Sequence, residues 1–140
     1  APGLGEAASQ VASHEKVRAV LLAYQRTFAR RKPGAVLDGR DIGTVICPDA
    51  EVKLFVTATP EIRARRRFLE LRANGALISE AEVMADIRRR DERDMGRSAA
   101  PLRKAEDAYL LDTTNLDIDA AFRAAIIVID AAMGHAGRAL

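Results

Sequence analysis

The sequence predicts an α/β domain, a parallel sheet with helices on both faces, and three observations carry that reading. Short apolar stretches at 35–37, 52–57 and 108–112 have strand length, and segments of helical periodicity lie between and around them. The order helix, strand, strand, helix, helix, strand, helix runs without an internal repeat or a low-complexity linker. Strands that alternate with helices are joined by crossovers, and crossover connections make a sheet parallel.

The first helix is expected from Ser13 to Lys32, because Val17, Val20, Leu21, Tyr24 and Phe28 recur on one helical face. Ser13 is placed to cap its start, and Pro33-Gly34 ends it. Ala35-Val36-Leu37 then reads as a short strand running into Asp38-Gly39-Arg40-Asp41, and Val52 to Thr57 as a second. Thr59 as N-cap with Pro60 at the first helical position opens the next helix, through about Leu71. Ser79 and Glu82 have the spacing of a capping box, flanked by Ile78 and Val83 as a hydrophobic staple, and Gly96 suits the end of the helix they start. After a polar stretch containing Pro101, Ala108 to Asp112 is the third strand. Asp117 caps a last helix whose apolar content predicts burial on most sides.

At 140 residues the chain is long enough for one domain with a real core. Apolar residues make up 49% and aromatic residues 4%, with no Trp, so Ala, Leu, Ile and Val must build that core. No uninterrupted apolar run exceeds that from Ala124 to Ile129, far short of the roughly 20 residues that cross a bilayer. The N-terminus has no basic stretch followed by an apolar one, so no secretory signal is expected. A solitary Cys47 cannot form an internal disulfide, which points to a reducing cytoplasm. Charged residues amount to 30% but the net charge is only +2, so the positions of the arginines matter more than their number.

Three groups of charged residues stand out. In the helix opened by Ser79, with Val83 as zero, Ile87 falls at about 40°, Arg90 at about 340°, Asp94 at about 20° and Arg97 at about 320°. A solvated salt-bridge ladder through Asp86, Arg90, Asp94 and Arg97 is the bland alternative, but it belongs on the face away from Val83. A stripe that begins apolar and becomes Arg-Asp-Arg fits a helix leaving the core to line a polar cleft. There the arginines would grip phosphate oxygens and the carboxylate a ribose hydroxyl. On the preceding helix Arg63, Arg66 and Arg67 share a side with Glu70, either as a solvated face or as a mobile lid whose cations neutralise charge during phosphoryl transfer. Asp38-Gly39-Arg40-Asp41 is an ordinary turn by composition, yet it lies where a strand ends, the place at which open α/β sheets bind ligands. Ser9 and Arg18 read as surface helix residues by themselves. His14, His135 and Cys47 have no metal-ligand spacing.

Taken together, A-A-S-Q-V-A with V-R-A-V-L-L, V-L-D-G-R-D-I-G-T-V-I-C-P-D-A, V-K-L-F-V-T-A, I-R-R-R-D-E-R-D-M-G-R-S-A-A-P-L and L-L-D-T-T-N-L resemble the bacterial-type cytidylate kinase family, from about Ser9 to Ile129. That family belongs to the nucleoside monophosphate kinases, so the resemblance implies a P-loop NTPase-like three-layer α/β/α fold and transfer of phosphoryl from ATP to CMP or dCMP. It also implies Mg²⁺ accompanying ATP, small-molecule nucleotides as partners in place of nucleic acid or membrane, a cytoplasmic location, and a monomer when complete. By the same resemblance Ser9, Arg18 and Asp41 contact cytosine, and Arg40 and Arg97 hold phosphate. Arg90 and Asp94 lie at phosphate and sugar, and Arg66 or Arg67, with Arg63 beside them, belongs to the lid near the donor. Asp38 matches the acidic residue near magnesium, which it would reach through water and not as a direct ligand. Residues 1–34 become the helical segment bordering the acceptor, and 35–140 the core with a lid around 60–97.

Members of that family open with a strand and a G-x-x-x-x-G-K-[ST]-like loop that cradles the ATP phosphates. No such string occurs in these 140 residues, and Pro2-Gly3-Leu4-Gly5 is too short and lacks the Lys. The strand carrying that loop lies between the strand ending at Asp38 and the strand Val52 to Thr57 in the family's order. The sheet is therefore expected to be incomplete, with a central gap, and the chain to be part of a longer kinase, inactive alone. A nucleotide-binding module that recognises CMP without catalysis is the second reading. A basic nucleic-acid-binding domain is the third, weakened by four Phe, two Tyr and arginines interleaved with carboxylates.

Overall fold

A computed structural model describes residues 4–96 and 102–134, apart from the side chains of Glu6 and Ser9. Its elements are α1 (Leu4–Ala12), α2 (Glu15–Ala29), a π-helical turn (Ile42–Ile46), β1 (Leu54–Thr57), α3 (Pro60–Ala73), α4 (Glu80–Met95), β2 (Tyr109–Asp112) and α5 (Ile118–Ala132). The two strands pair in parallel, with Leu54 opposite Tyr109 and Thr57 opposite Asp112. The α3–α4 hairpin is the crossover between them. This is the α/β class with a parallel sheet that the sequence predicts.

Local chemistry explains the middle of the chain. The Thr59 hydroxyl accepts from the Ile62 N–H at 3.4 Å, and Pro60 occupies the first turn of α3. At the other end Gly75 takes φ +79°, and the N–H groups of Gly75 and Ala76 donate to the carbonyls of Arg72 and Leu71, which closes the helix in a Schellman motif. The capping box of α4 forms as expected: the Glu82 N–H donates to Ser79 Oγ at 3.2 Å, and the Ser79 N–H donates to Glu82 Oε2 at 2.8 Å. Gly96 ends α4 by donating to the Glu92 carbonyl, and a Cβ at Gly96 would stand 3.0 Å from that same oxygen. The Asp117 carboxylate caps α5 through the Ala120 N–H at 2.7 Å.

The most buried residues lie where these elements meet. Ala58 follows β1, Ala64 faces inward from α3, and Val83 and Asp94 are the two buried residues of α4. Small residues on α3 let the hairpin close, and Arg63 then ties it. Its Nη1 and Nη2 donate to the two carboxylate oxygens of Asp91 at 2.8 and 2.6 Å, while its Nε donates to the Ala58 carbonyl at 2.9 Å. The fork thus binds α4 and the end of β1 together.

Four expectations are corrected. Ser13 does not cap the helix that follows; its hydroxyl donates back to the Gln10 carbonyl at 2.6 Å, finishing α1, and His14 takes the N-cap position of α2 without a side-chain cap. The strands are shorter than expected, beginning at Leu54 and Tyr109 instead of Val52 and Ala108. Residues 35–37 form no strand among the described residues, and Val36 is 96% exposed. A strand exists only through its ladder, and no described segment lies beside 35–37 to supply one. Finally, α5 is not buried on most sides: it leans on β2, but Ile118, Phe122 and Ile127 are 87%, 66% and 68% exposed, because a sheet of two strands covers one side of an apolar helix.

Two stability measurements follow. Replacing Gly75 by Ala puts a Cβ into a left-handed conformation, which should cost about 1–2 kcal/mol in urea unfolding of the complete gene product. The hydrogen bond from Arg63 is the main cause that holds the Asp91 carboxyl below its ordinary range. A depressed folded-state pKa means that the pair's contribution is fully present above the unfolded value of about 3.9 and is lost as pH falls through the lower folded value. With both side chains about a third exposed, Asp91→Asn should cost up to about 1 kcal/mol at pH 7. It should also flatten the acid limb of stability below pH ~4.

Candidate functional site

The turn 38–41 is built around Gly39, where a Cβ would meet the Ile42 side chain at 3.0 and 3.1 Å. Its absence lets Ile42 fold back and start the π-turn. The Asp41 carbonyl then accepts from the N–H groups of Val45 and Ile46 at 2.9 and 3.1 Å, and the Ile42 carbonyl accepts from Cys47 at 2.7 Å. Inserting a wide turn here, with Ile46 and Cys47 buried beneath it, fixes the backbone at Asp41.

Residues 40 and 41 reach in two directions. The Arg40 Nε donates to Asp94 Oδ2 on α4, and the Asp94 side chain is only 5% exposed. Asp41, itself buried, accepts at Oδ2 from Arg18 Nη2 on α2 at 2.5 Å. Arg18 also leans on the Ala12 carbonyl at the end of α1. Two adjacent residues of opposite charge therefore connect the turn to two helices through crossed ion pairs.

Positive charge gathers next to the Arg40–Asp94 pair. Burial lowers the pKa of Arg90, and the fields of Arg40, Arg67 and Arg93 lower it further against the attraction of Asp94. Arg40, Arg67 and Arg93 each act on Arg90, and Asp94, the partner of Arg40, offsets part of that repulsion. An anion with several oxygens would relieve that repulsion. Asp94, on the stripe of α4 that begins at Val83, meets the turn through Arg40. Arg97 lies outside the described residues, as does the Ser9 side chain, although Ser9 itself falls in α1.

The three arginines of α3, alike in sequence, separate in the structure. Arg63 is the fork on Asp91. Arg66 Nη2 donates to the carbonyls of Thr113 and Leu116 at 2.6 and 3.2 Å, and its Nη1 donates to Thr113 Oγ1 at 3.0 Å, so it fastens α3 to the end of β2. Arg67 is half-exposed, pairs with Glu70 at 2.9 Å, and is the member of the trio whose field reaches Arg90. Asp38 is exposed beside the turn. No group of three His, Cys, Asp or Glu side chains that could hold a metal ion gathers among the described residues. No helix among the described residues is long and apolar enough to cross a membrane.

Two functional-looking cations were not apparent from the sequence. Arg26 donates from Nε to the Ile46 carbonyl and from Nη2 to the Val45 carbonyl, both at 3.0 Å. Lys53, a buried residue, donates from Nζ to both oxygens of Asp107 at 2.9 and 2.7 Å and to the Pro48 carbonyl at 2.5 Å. That contact holds the Asp107 carboxyl below the usual range. The Arg26 partners are 19 and 20 residues away and the Asp107 partner of Lys53 is 54 away, so these contacts leave no local spacing signal, and the nearby Pro48 partner is a main-chain carbonyl.

Crossed ion pairs on a Gly-containing turn, one of them to a buried carboxylate of α4, are the most distinctive charged arrangement among the described residues, and the chain has named relatives. The family model described as cytidylate kinase matches residues 2–130. The chain is 68% identical over 126 residues to a protein named cytidylate kinase from Cereibacter sphaeroides, covering 90% of this chain and 61% of that protein. It is 61% identical over 135 residues to a cytidylate kinase from Rhodopseudomonas palustris strain HaA2, covering 96% and 63%. To one from Nitrobacter winogradskyi it is 58% identical over 139 residues, covering 99% and 66%. The chain therefore spans a little over three-fifths of the length of the curated relatives it matches. With a family match across nearly its whole length and a turn and helix that bring the matching residues together, this chain belongs to the cytidylate kinase family.

Proposed function

We propose that the complete gene product transfers the γ-phosphoryl group of ATP to CMP or dCMP, and that the face formed by α2, the turn 38–41 and the C-terminal half of α4 is its acceptor site. The observation that carries this reading is the Arg40–Asp94 pair on α4 next to the Arg18–Asp41 pair, with Arg90 close enough to feel both Arg40 and Asp94. Guanidinium groups held against one another have much to gain from a phosphate, and a carboxylate held by one arginine keeps a second oxygen for a base amine.

On this reading Ser9, Arg18 and Asp41 take the cytosine, Arg40 and Arg97 the phosphate, and Arg90 and Asp94 the phosphate and sugar. Arg67 is the lid arginine that approaches the donor. Arg63 and Arg66 hold the lid hairpin in shape, since their hydrogen bonds are made within the protein. Transfer is in line and direct, with the arginines stabilising the charge that spreads over the moving phosphoryl group. Mg²⁺ arrives with ATP, and Asp38 meets it through water at most. The enzyme is read as a cytoplasmic monomer.

The 140-residue chain by itself should be without kinase activity, because none of its strings has the G-x-x-x-x-G-K-[ST] form that would hold ATP phosphates. A second reading is a module that binds CMP and does not turn it over. Calorimetry with CMP and a coupled assay with MgATP on the complete gene product separate the two: binding without turnover establishes the module.

Two substitutions test the residue roles. Arg40→Ala should lower kcat/KM of the complete gene product by roughly 2–4 kcal/mol, the scale of losing a preorganised charge-stabilising donor. Arg88→Ala, exposed on α4 and turned from the Arg90–Asp94 side, is the control, and equal losses at the two positions would refute the assignment. Asp41 should set the preference for cytosine, whose exocyclic amine a carboxylate accepts from, over uracil, which presents a carbonyl at that edge. Asp41→Asn should narrow the CMP to UMP ratio of kcat/KM mainly by weakening CMP. A ratio within about twofold of wild type, less than roughly 0.4 kcal/mol, would remove Asp41 from base reading.

A further inference from the structure

The carboxylate of Asp41 is only as well placed as the backbone that carries it, and that backbone belongs to the π-turn. Within the turn, the Asp41 carbonyl already accepts the N–H groups of Val45 and Ile46, and Thr44 Oγ1 lies 3.4 Å from it. The far end of the turn leaves carbonyls at Val45 and Ile46 that need donors from elsewhere. Arg26 supplies them, one guanidinium spanning both oxygens at 3.0 Å each.

Arg26 and Arg18 belong to the same helix, eight residues or about 12 Å apart along its axis. Arg18 holds the first end of the turn through the Asp41 carboxylate, and Arg26 holds the last end through the two carbonyls. α2 is thereby set in register against the turn at two points. Lys53 backs the turn from the opposite side, its Cδ standing 3.3 Å from where a Cβ on Gly43 would be, with Nζ on the Pro48 carbonyl just beyond.

We propose that Arg26 is a positioning residue for base recognition: by bridging the Val45 and Ile46 carbonyls it fixes the π-turn, and so the aim of the Asp41 carboxylate and its partner Arg18. This inference rests on the base-reading role given to Asp41 above. A guanidinium is suited to the task because its Nε and Nη2 donors lie side by side in one plane, their N–H bonds roughly parallel, and reach two oxygens at once. A wrong aim of even a fraction of an ångström weakens a hydrogen bond that only cytosine can make, whereas uracil has no such bond to lose.

The test uses the complete gene product, with CMP and UMP as probes at fixed MgATP. Arg26→Met should lower the CMP to UMP ratio of kcat/KM at least fivefold, with the loss falling on CMP. Arg26→Lys, which keeps a donor but not the fork, should give an intermediate ratio, at least twofold below wild type. Arg30→Met on the same helix, where the native arginine makes only an exposed pair with Asp49 at 3.4 Å, should leave the ratio unchanged. A merely structural role for Arg26 predicts a lower thermal midpoint with equal losses for the two nucleotides, and that result overturns the proposal. Should the Met variant fail to fold, the Lys variant decides: a ratio equal to wild type overturns the proposal, and a reduced one supports it. If wild type and Asp41→Asn show the same ratio, the base-reading role of Asp41 fails and this inference with it. If they differ as expected while the Arg26 variants keep the wild-type ratio, only the positioning role fails.

Discussion

The constraint on which the rest of this structure depends is that Arg40 and Asp41, neighbours of opposite charge, must each satisfy a partner on a different helix. Asp94 is buried on α4 and Asp41 is buried at the turn, and an unpaired carboxylate in either place would carry a large desolvation penalty. The crossed pairs to Asp94 and Arg18 meet that requirement and in doing so fix where α2, the turn and α4 stand relative to one another. Packing alone would not do this, because the buried apolar set is small and lies mostly under the π-turn and at the foot of the hairpin. Electrostatic pairing here does the orienting that a larger core performs elsewhere.

Features decided within a few residues could be read from the sequence. The Ser79–Glu82 box, Thr59 with Pro60, and Asp117 all depend on spacing along one helix, and all are found. Features decided by a distant neighbour could not. Val36 has the residue type of a strand but no ladder partner, and the apolar residues of α5 have the composition of a core helix but only one strand to lie against. Ser13 differs more subtly: its residue type suits a helix start, but its hydroxyl has a closer use in ending the helix before it.

The candidate site divides in the same way. Asp41, Arg18, Arg40 and Asp94 were recognisable as a set because their strings resemble a family motif, and their side chains do meet. Arg63, Arg66 and Arg67 could not be told apart, since all three lie on one side of a helix and only the carboxylate of Asp91 and the carbonyls of Thr113 and Leu116 distinguish them. Arg26 donates to two main-chain oxygens, which carry no residue identity for a sequence reader to match, and Lys53 finds its carboxylate 54 residues away.

The parallel ladder between β1 and β2 joins strands separated by about fifty residues of chain, nearly all of them in or around the α3–α4 hairpin. Loop closure over that length is entropically uphill until the intervening chain has shortened itself. A hairpin whose two starts are capped by their own side chains and whose helices are clasped by one guanidinium fork can form from local contacts first. Its assembly draws the ends of the two strands together and so shortens the loop that the ladder must close, which lets two helix caps lend stability to a pair of strands outside their own hairpin.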